Sequence, residues 1–138
     1  MVSFPKQQLT EILAKRRVSL AYLFGSQATG KTGPLSDIDI AIFFDERLGP
    51  DERFNLRLDV LGKLTDLFKT DEIDLVVLND APPLLAHRII KDGNLIFCGD
   101  DKLRVEHEVN VIMKYLDWKP YLDKYTEDVF GSDTAHGR

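Results

Sequence analysis

The sequence predicts an α/β protein of the α+β kind, with one small mixed β-sheet backed by helices. Four short stretches rich in β-branched and aromatic residues have the length of strands, and four segments carry apolar residues at helical spacing. The two kinds of segment do not alternate regularly, because two strands follow one another near the N-terminus. The strands are also too few and too short for a doubly wound parallel sheet.

The N-terminal half is predicted to form a helix, two strands and a second helix. Residues 5–17 begin with proline and carry apolar residues at helical spacing, which predicts the first helix. Residues 18–24 predict a buried strand, whereas residues 25–36 hold too many glycines and small polar residues for a regular element. Residues 37–45 predict the second strand. Residues 50–68 predict a helix with an apolar stripe. This stripe belongs to the core or in part faces a partner subunit. It is formed by Phe54, Leu58, Leu61, Leu64 and Phe68.

The C-terminal half is predicted to continue as strand, helix, strand and helix. Residues 73–78 form an apolar third strand, and a helix over residues 82–91 begins with two prolines and is ended by Gly93. Residues 94–98 predict a fourth strand. A last helix is predicted over residues 101–118, because apolar residues again recur at helical spacing.

The chain length predicts one domain over residues 1–130, followed by a flexible tail over residues 131–138. A chain of 138 residues is long enough to bury a core without disulfides or a structural metal. Its one cysteine, Cys98, follows an apolar run, where a buried and inert thiol is expected. No internal repeat or low-complexity tract interrupts this organisation.

The charge balance and hydropathy exclude two classes of function. Asp and Glu outnumber Lys and Arg by 23 to 18, giving a net charge of −5, so no direct binding of long nucleic acids is expected. No stretch approaches the roughly 20 apolar residues that span a bilayer, and the first residues lack the apolar core of a signal peptide. A cytoplasmic protein without membrane contact is therefore expected.

The segment with the clearest chemistry is Gly25-Ser26, followed by ten residues and then by Asp37-Ile38-Asp39. Two carboxylates at i and i+2 of a strand point the same way, with Cα atoms about 7 Å apart, so they can converge on hard cations. Gly25 permits a sharp turn and a close ligand approach, while Ser26 offers a hydroxyl and an amide N–H to a phosphate. The loop then leads directly into the strand of the aspartates. Phosphate and metal are therefore predicted to meet in one cleft.

A third carboxylate is needed beside the metal if an acceptor hydroxyl is to be deprotonated or oriented. Asp74 is the candidate, because it lies at the start of the third strand among residues that otherwise belong in a core. An unpaired charge in such a place is costly, which predicts a partner such as a metal ion.

These residues resemble the signature of the DNA polymerase β-like nucleotidyltransferase superfamily, and specifically its minimal nucleotidyltransferase (MNT) branch. The resemblance implies that branch's sheet fold, Mg²⁺ held by Asp37, Asp39 and Asp74, and ATP triphosphate contacts from Gly25 and Ser26. It further implies an antitoxin that forms a hetero-oligomer with an all-helical HEPN-type ribonuclease toxin. In such pairs the enzyme transfers AMP from ATP to a tyrosine hydroxyl of the toxin.

Several alternatives stay open at the level of sequence. Gly-Ser is often only a turn, and Asp-x-Asp also occurs in glycosyltransferases and in phosphatases with an aspartyl nucleophile. Lys31 is more often solvated than bound to phosphate, and His87 and His107 have no second ligand at metal-binding spacing. A non-catalytic antitoxin that acts by binding alone is the second function. A nucleotidyltransferase for a small hydroxylated molecule, such as an aminoglycoside, is the third.

Overall fold

A computed structural model of the chain describes residues 5–25 and 38–135. Its regular elements follow the predicted order, and all bounds except the end of the last helix agree with the prediction to within two residues. The elements are α1 (Lys6–Lys15), β1 (Val18–Phe24), β2 (Ile38–Phe44), α2 (Pro50–Phe68), β3 (Ile73–Val77), a 3-10 turn (Leu78–Asp80), α3 (Pro83–Asp92), β4 (Asn94–Cys98) and α4 (Asp101–Ala135).

The four strands form one mixed sheet in the order β3-β2-β1-β4, which confirms the predicted fold class. β1 is antiparallel to both of its neighbours, β2 and β4. β2 and β3 are parallel, because α2 carries the chain from the end of one strand back to the start of the next. As a result, β1 ends at the same edge of the sheet at which β2 and β3 begin.

Helices cover both faces of the sheet. On one face α1 and α2 pack through Leu13 and Leu64 against strand residues that include Ile40 and Ile42. On the other face α3 and α4 pack against the intervening residues, which include Ala41. Ile40 and Ile42 of β2 thus face one side of the sheet, whereas Ala41 faces the other. Because both faces are covered, Ala41 is as fully buried as the isoleucines.

The inward face of α2 agrees with the predicted stripe only in part. Leu61, Leu64 and Phe68 contact the core as predicted, and Val60, which is fully buried, joins them. Phe54 and Leu58 are 60% and 50% exposed, so the core does not include this end of the stripe. Spacing alone does not tell which residues of a broad apolar helix face the sheet covers.

The last helix is much longer than predicted. It continues beyond residue 118 to Ala135, so residues 131–135 extend a helix where a loose tail was expected, and residues 136–138 lie outside the described residues. Pro120 lies inside this helix and lacks an N–H, which removes one backbone hydrogen bond to the Leu116 carbonyl without ending the helix. The predicted boundary at residue 130 thus falls within α4, and the single-domain organisation stays a prediction. No helix among the described residues combines the length and the apolar character needed to cross a membrane.

A buried hydrogen bond fixes α4 to the centre of the sheet. The Tyr22 hydroxyl, on β1, donates to Glu108 Oε2 at 2.6 Å, and Arg104 donates to the other oxygen of that carboxylate at 3.1 Å. Tyr22 is almost fully buried. Burial and, after it, the hydrogen bond to the Glu108 carboxylate raise the pKa of Tyr22 far above its ordinary value.

We expect Tyr22→Phe to lower the free energy of unfolding by about 1–2 kcal/mol at neutral pH, because Glu108 loses a buried donor. The pKa of Tyr22 is raised in the folded state. The contribution of the Tyr22 hydroxyl to the free energy of unfolding is therefore fully present below the ordinary tyrosine pKa and is lost as the pH rises above that value. At about pH 10.5 the difference between parent and variant should narrow by about 0.8 kcal/mol.

Urea unfolding of both proteins at the two pH values measures this difference. The matched control is Tyr121→Phe, because Tyr121 lies on the same helix and is 73% exposed. That control should match the parent at neutral pH. If the stability difference between the parent and Tyr22→Phe were the same at both pH values, the proposed coupling between Tyr22 ionisation and folding would be wrong.

Candidate active site

Three of the predicted site residues, Gly25, Asp39 and Asp74, lie at the edge of the sheet where β1 ends and β2 and β3 begin. Asp39 is the register partner of Phe24 on one side and of Asp74 on the other. Adjacent strands are about 4.8 Å apart, and paired residues project from the same face. Asp39 alternates with Ala41, which packs beneath α3 and α4, so both carboxylates project from that face of the sheet.

Gly25 forms the bend that carries the chain away from Asp39. Its φ of +76° lies in the left-handed region, which side chains other than glycine rarely adopt. A Cβ atom at this position would also overlap Oδ2 of Asp39. The bend therefore requires glycine for two independent reasons, and the second is direct contact with the predicted metal ligand. The predicted proximity of the glycine turn to the aspartate strand is present in the structure.

The two carboxylates differ in their surroundings. Asp39 is half-buried and Asp74 is exposed, while its neighbour Leu75 is buried. The expectation that Asp74 is embedded in the core, and needs a partner for that reason, was wrong. Strand alternation explains the difference, because Leu75 enters the core beneath α2 whereas Asp74 points to the other face, near its edge. The assignment of Asp74 to the site thus depends on its register with Asp39.

Three residues singled out from the sequence, Ser26, Lys31 and Asp37, lie outside the described residues. In the ranges 5–25 and 38–135 no group of three or more His, Cys, Asp or Glu side chains could hold a metal ion. Two of the three predicted ligands, Asp39 and Asp74, are nevertheless brought together. Their carboxylate oxygens are the ligand type that Mg²⁺ prefers, and their exposure leaves room for the waters and phosphates that complete its coordination.

Apolar side chains beside the carboxylates were not singled out from the sequence. Phe24 of β1 is the register partner of Asp39. Leu95 of β4 is the register partner of Tyr22, which precedes Phe24 by two residues in β1. Both belong to the face that carries Asp39, and Leu95 is 42% exposed. In the sequence they are indistinguishable from core residues of strands, so no local signal could have found them.

The remaining nucleophilic and titratable candidates have structural surroundings. The Cys98 thiol donates to Asp101 Oδ1 at 3.4 Å, and burial raises its pKa. The side chain is half-buried, so the expected full burial is not observed, and the inertness of the thiol stays a prediction. His107 packs on Phe43 with ring centroids 4.0 Å apart, and burial lowers its pKa. His87 stacks on Tyr115 at 3.7 Å. Both histidines thus have aromatic partners within the fold.

A small mixed sheet with aspartates on two adjoining strands beside a glycine bend defines the class of polymerase β-like nucleotidyltransferases. The sequence profile described as Polymerase beta, Nucleotidyltransferase matches residues 7–102, so the chain belongs to that family. The match includes β1, β2 and β3, and therefore every predicted site residue. The fold and the family predicted from the sequence are confirmed.

Individual relatives are similar over parts of the chain. The protein adenylyltransferase MntA of Aphanizomenon flos-aquae is 34% identical over 90 residues, which are 58% of this chain and 57% of that protein. The match thus spans little more than half of that relative. A protein of Methanocaldococcus jannaschii is 33% identical over 91 residues, 64% of this chain and 89% of its own length. A crystal structure of a toxin–antitoxin with AMP-PNP contains a similar chain, with 25% identity, a TM-score of 0.74 and coverage of 92% of this chain and 99% of that one.

Proposed function

We propose that this chain is a protein adenylyltransferase that acts as an antitoxin, transferring AMP from ATP to a tyrosine hydroxyl of a HEPN-type toxin. The observation that carries the proposal is the pair of carboxylates, Asp39 and Asp74, on adjoining strands against the Gly25 bend. Membership of the nucleotidyltransferase family supports the reaction type. The relative MntA is a protein adenylyltransferase, which supports a protein as the acceptor. The similar chain in a toxin–antitoxin with AMP-PNP supports ATP as the AMP donor.

The carboxylates provide the negative charge that would hold the cation needed at the phosphates. When bound, Mg²⁺ neutralises phosphate charge and polarises the phosphoryl oxygens. We propose Asp37, Asp39 and Asp74 as its ligands, of which the structure describes the second and third. Asp39 is fixed in position by β2 and by its contact with Gly25. The protein forms no covalent bond to the substrate in this reaction, so the positioning of these groups supplies most of the rate enhancement.

The proposed transfer is one in-line displacement at the α-phosphorus of ATP. The acceptor oxygen forms a bond to that phosphorus, and the bond from the phosphorus to the bridging oxygen breaks. Pyrophosphate leaves with the electron pair of that bond, and the proton of the acceptor hydroxyl passes to Asp74 and then to solvent. Asp74 is suited to this role because it is exposed and is in register with Asp39. The backbone at Gly25 and Ser26 would contact the triphosphate.

The reaction is tested with the protein encoded next to this chain as acceptor, incubated with Mg-ATP and followed by intact mass measurement. We expect a gain of one or more AMP units, lost when EDTA replaces Mg²⁺, with peptide mapping placing the label on tyrosine. Tight binding without a mass change would favour the non-catalytic antitoxin. AMP transfer to an aminoglycoside, with none to the protein, would favour the small-molecule enzyme. Either result would overturn the proposal.

A further inference from the structure

The helix α4 has two apolar faces, and the sheet covers only one of them. The inner face packs on the sheet and α3 through Leu103, His107 and Val111. On the opposite side five apolar residues are between 42% and 61% exposed. These residues, named here the outer stripe, are Val105, Val109, Ile112, Met113 and Leu116.

The spacing of the outer stripe identifies the shape of what covers it. Val105, Val109, Ile112 and Leu116 follow one another at intervals of four, three and four residues, which is the repeat of a helix that packs against other helices. Met113 flanks this seam and has the flexible side chain that fills irregular gaps. Scattered exposed apolar residues are ordinary on a protein surface, but a continuous row of this length marks an interaction site.

We propose that the outer stripe docks into a groove between two α-helices of another protein, which under the function proposed above is the toxin. In heptad terms Val109 and Leu116 occupy a positions, and Val105 and Ile112 occupy d positions. β-Branched residues at d, and leucine at a with isoleucine at d, disfavour a two-stranded parallel pair and favour bundles of three or four helices. The stripe therefore fits a groove between two helices better than a parallel pair with a second α4.

The position of α4 supports such a bundle. Its inner face is already packed against α3, where His87 stacks on Tyr115, so two further helices would complete a four-helix arrangement. At 1.5 Å per residue its 35 residues extend about 50 Å, far beyond strands of five to seven residues.

The docking surface is separate from the catalytic groups. The outer stripe lies on the side of α4 that faces away from the sheet, whereas Asp39 and Asp74 project from the sheet itself. Docking can therefore fix the acceptor protein without filling the cleft. This separation allows binding and transfer to be measured independently.

The experiment measures binding of the neighbour-encoded protein to the full chain by calorimetry, in an Asp39→Asn background so that no AMP is transferred. We expect Ile112→Asp to weaken binding thirtyfold or more, since it places a charge at the centre of a desolvated seam (about 2 kcal/mol). The matched control is Leu58→Asp, because Leu58 is a similarly exposed apolar residue on α2. It should bind as tightly as the background. Circular dichroism melting confirms that both variants fold.

The outcomes separate this inference from the proposed function. Equal affinities of Ile112→Asp and its background would overturn docking through the outer stripe and leave AMP transfer untouched. Loss of binding in Ile112→Asp, together with no transfer by the parent, would support the docking surface and contradict the enzyme. Sedimentation of the chain alone tests whether a second copy of this chain covers the outer stripe instead. A dimer that Ile112→Asp converts to a monomer would assign the stripe to that second copy and overturn the proposal.

Discussion

Replacement of Asp39 by asparagine is expected to reduce AMP transfer by roughly a hundredfold or more while the fold remains intact. Asn has the size of Asp, so the contact with Gly25 and the strand pairing can persist, but the charge that would hold Mg²⁺ is removed. Without metal the variant should be at least as stable as the parent. The reason is that Asp39 and Asp74 lie side by side on adjoining strands, where like charges repel each other.

The measurement has two parts, the rate of AMP transfer and the melting temperature with and without Mg²⁺. Because a ligand that binds only the folded state stabilises it, Mg²⁺ should raise the melting temperature of the parent more than that of Asp39→Asn. The control is Asp66→Asn, which removes the same charge from an exposed position on α2, beneath the other face of the sheet. Undiminished transfer by Asp39→Asn, or an equal response of both variants to Mg²⁺, would refute the role of Asp39.

The order of the elements was predictable because each depends on local chemistry. The strand over residues 18–24 is followed by a glycine that the structure places at positive φ, and α3 starts at the second of two prolines and ends before Gly93. Errors arose where local chemistry allowed two answers. Phe54 and Val60 both belong to the broad apolar side of α2, and only the docking of the helix on the sheet decides that Val60 is buried and Phe54 is exposed. Pro120 can either end or merely interrupt a helix, so the length of α4 was not determined by its sequence.

The proximity of Gly25 to Asp39 was predictable from the sequence, whereas the surroundings of the proposed site were not. The spacing from Gly25 to Asp39 places a turn and an acidic strand in succession, and antiparallel pairing of consecutive strands then brings the two together. The position of Asp74 depends on a parallel pairing across α2, which is a long-range property. Its exposure could not be deduced from the apolar residues beside it, because alternation on a strand sends neighbours to opposite faces. For the same reason Leu95 resembled a core residue.

The second large effect is expected at Gly25, where alanine should abolish transfer as completely as the loss of Asp39. Alanine at a φ of +76° costs about 1–2 kcal/mol of backbone strain. Its methyl group would also occupy the space of Asp39 Oδ2, so either the carboxylate rotates away or β1 and β2 separate at their paired ends. Both responses displace the proposed metal ligand, and a displacement of about 1 Å can cost a hundredfold in rate.

Gly62 provides a control that separates the loss of transfer expected for Gly25→Ala from the effect of adding a methyl group to any glycine. Gly62 lies within α2, and a Cβ there would meet nothing within 4 Å, so Gly62→Ala should stabilise the protein by about 0.5–1 kcal/mol and leave transfer unchanged. Transfer rates and urea unfolding of both variants provide the comparison. An active Gly25→Ala enzyme would show that the carboxylate of Asp39 can leave its position without loss of function, and the proposed site would then be wrong. Inactivity together with a folded structure would instead make the close approach of this bend to Asp39 part of the catalytic arrangement.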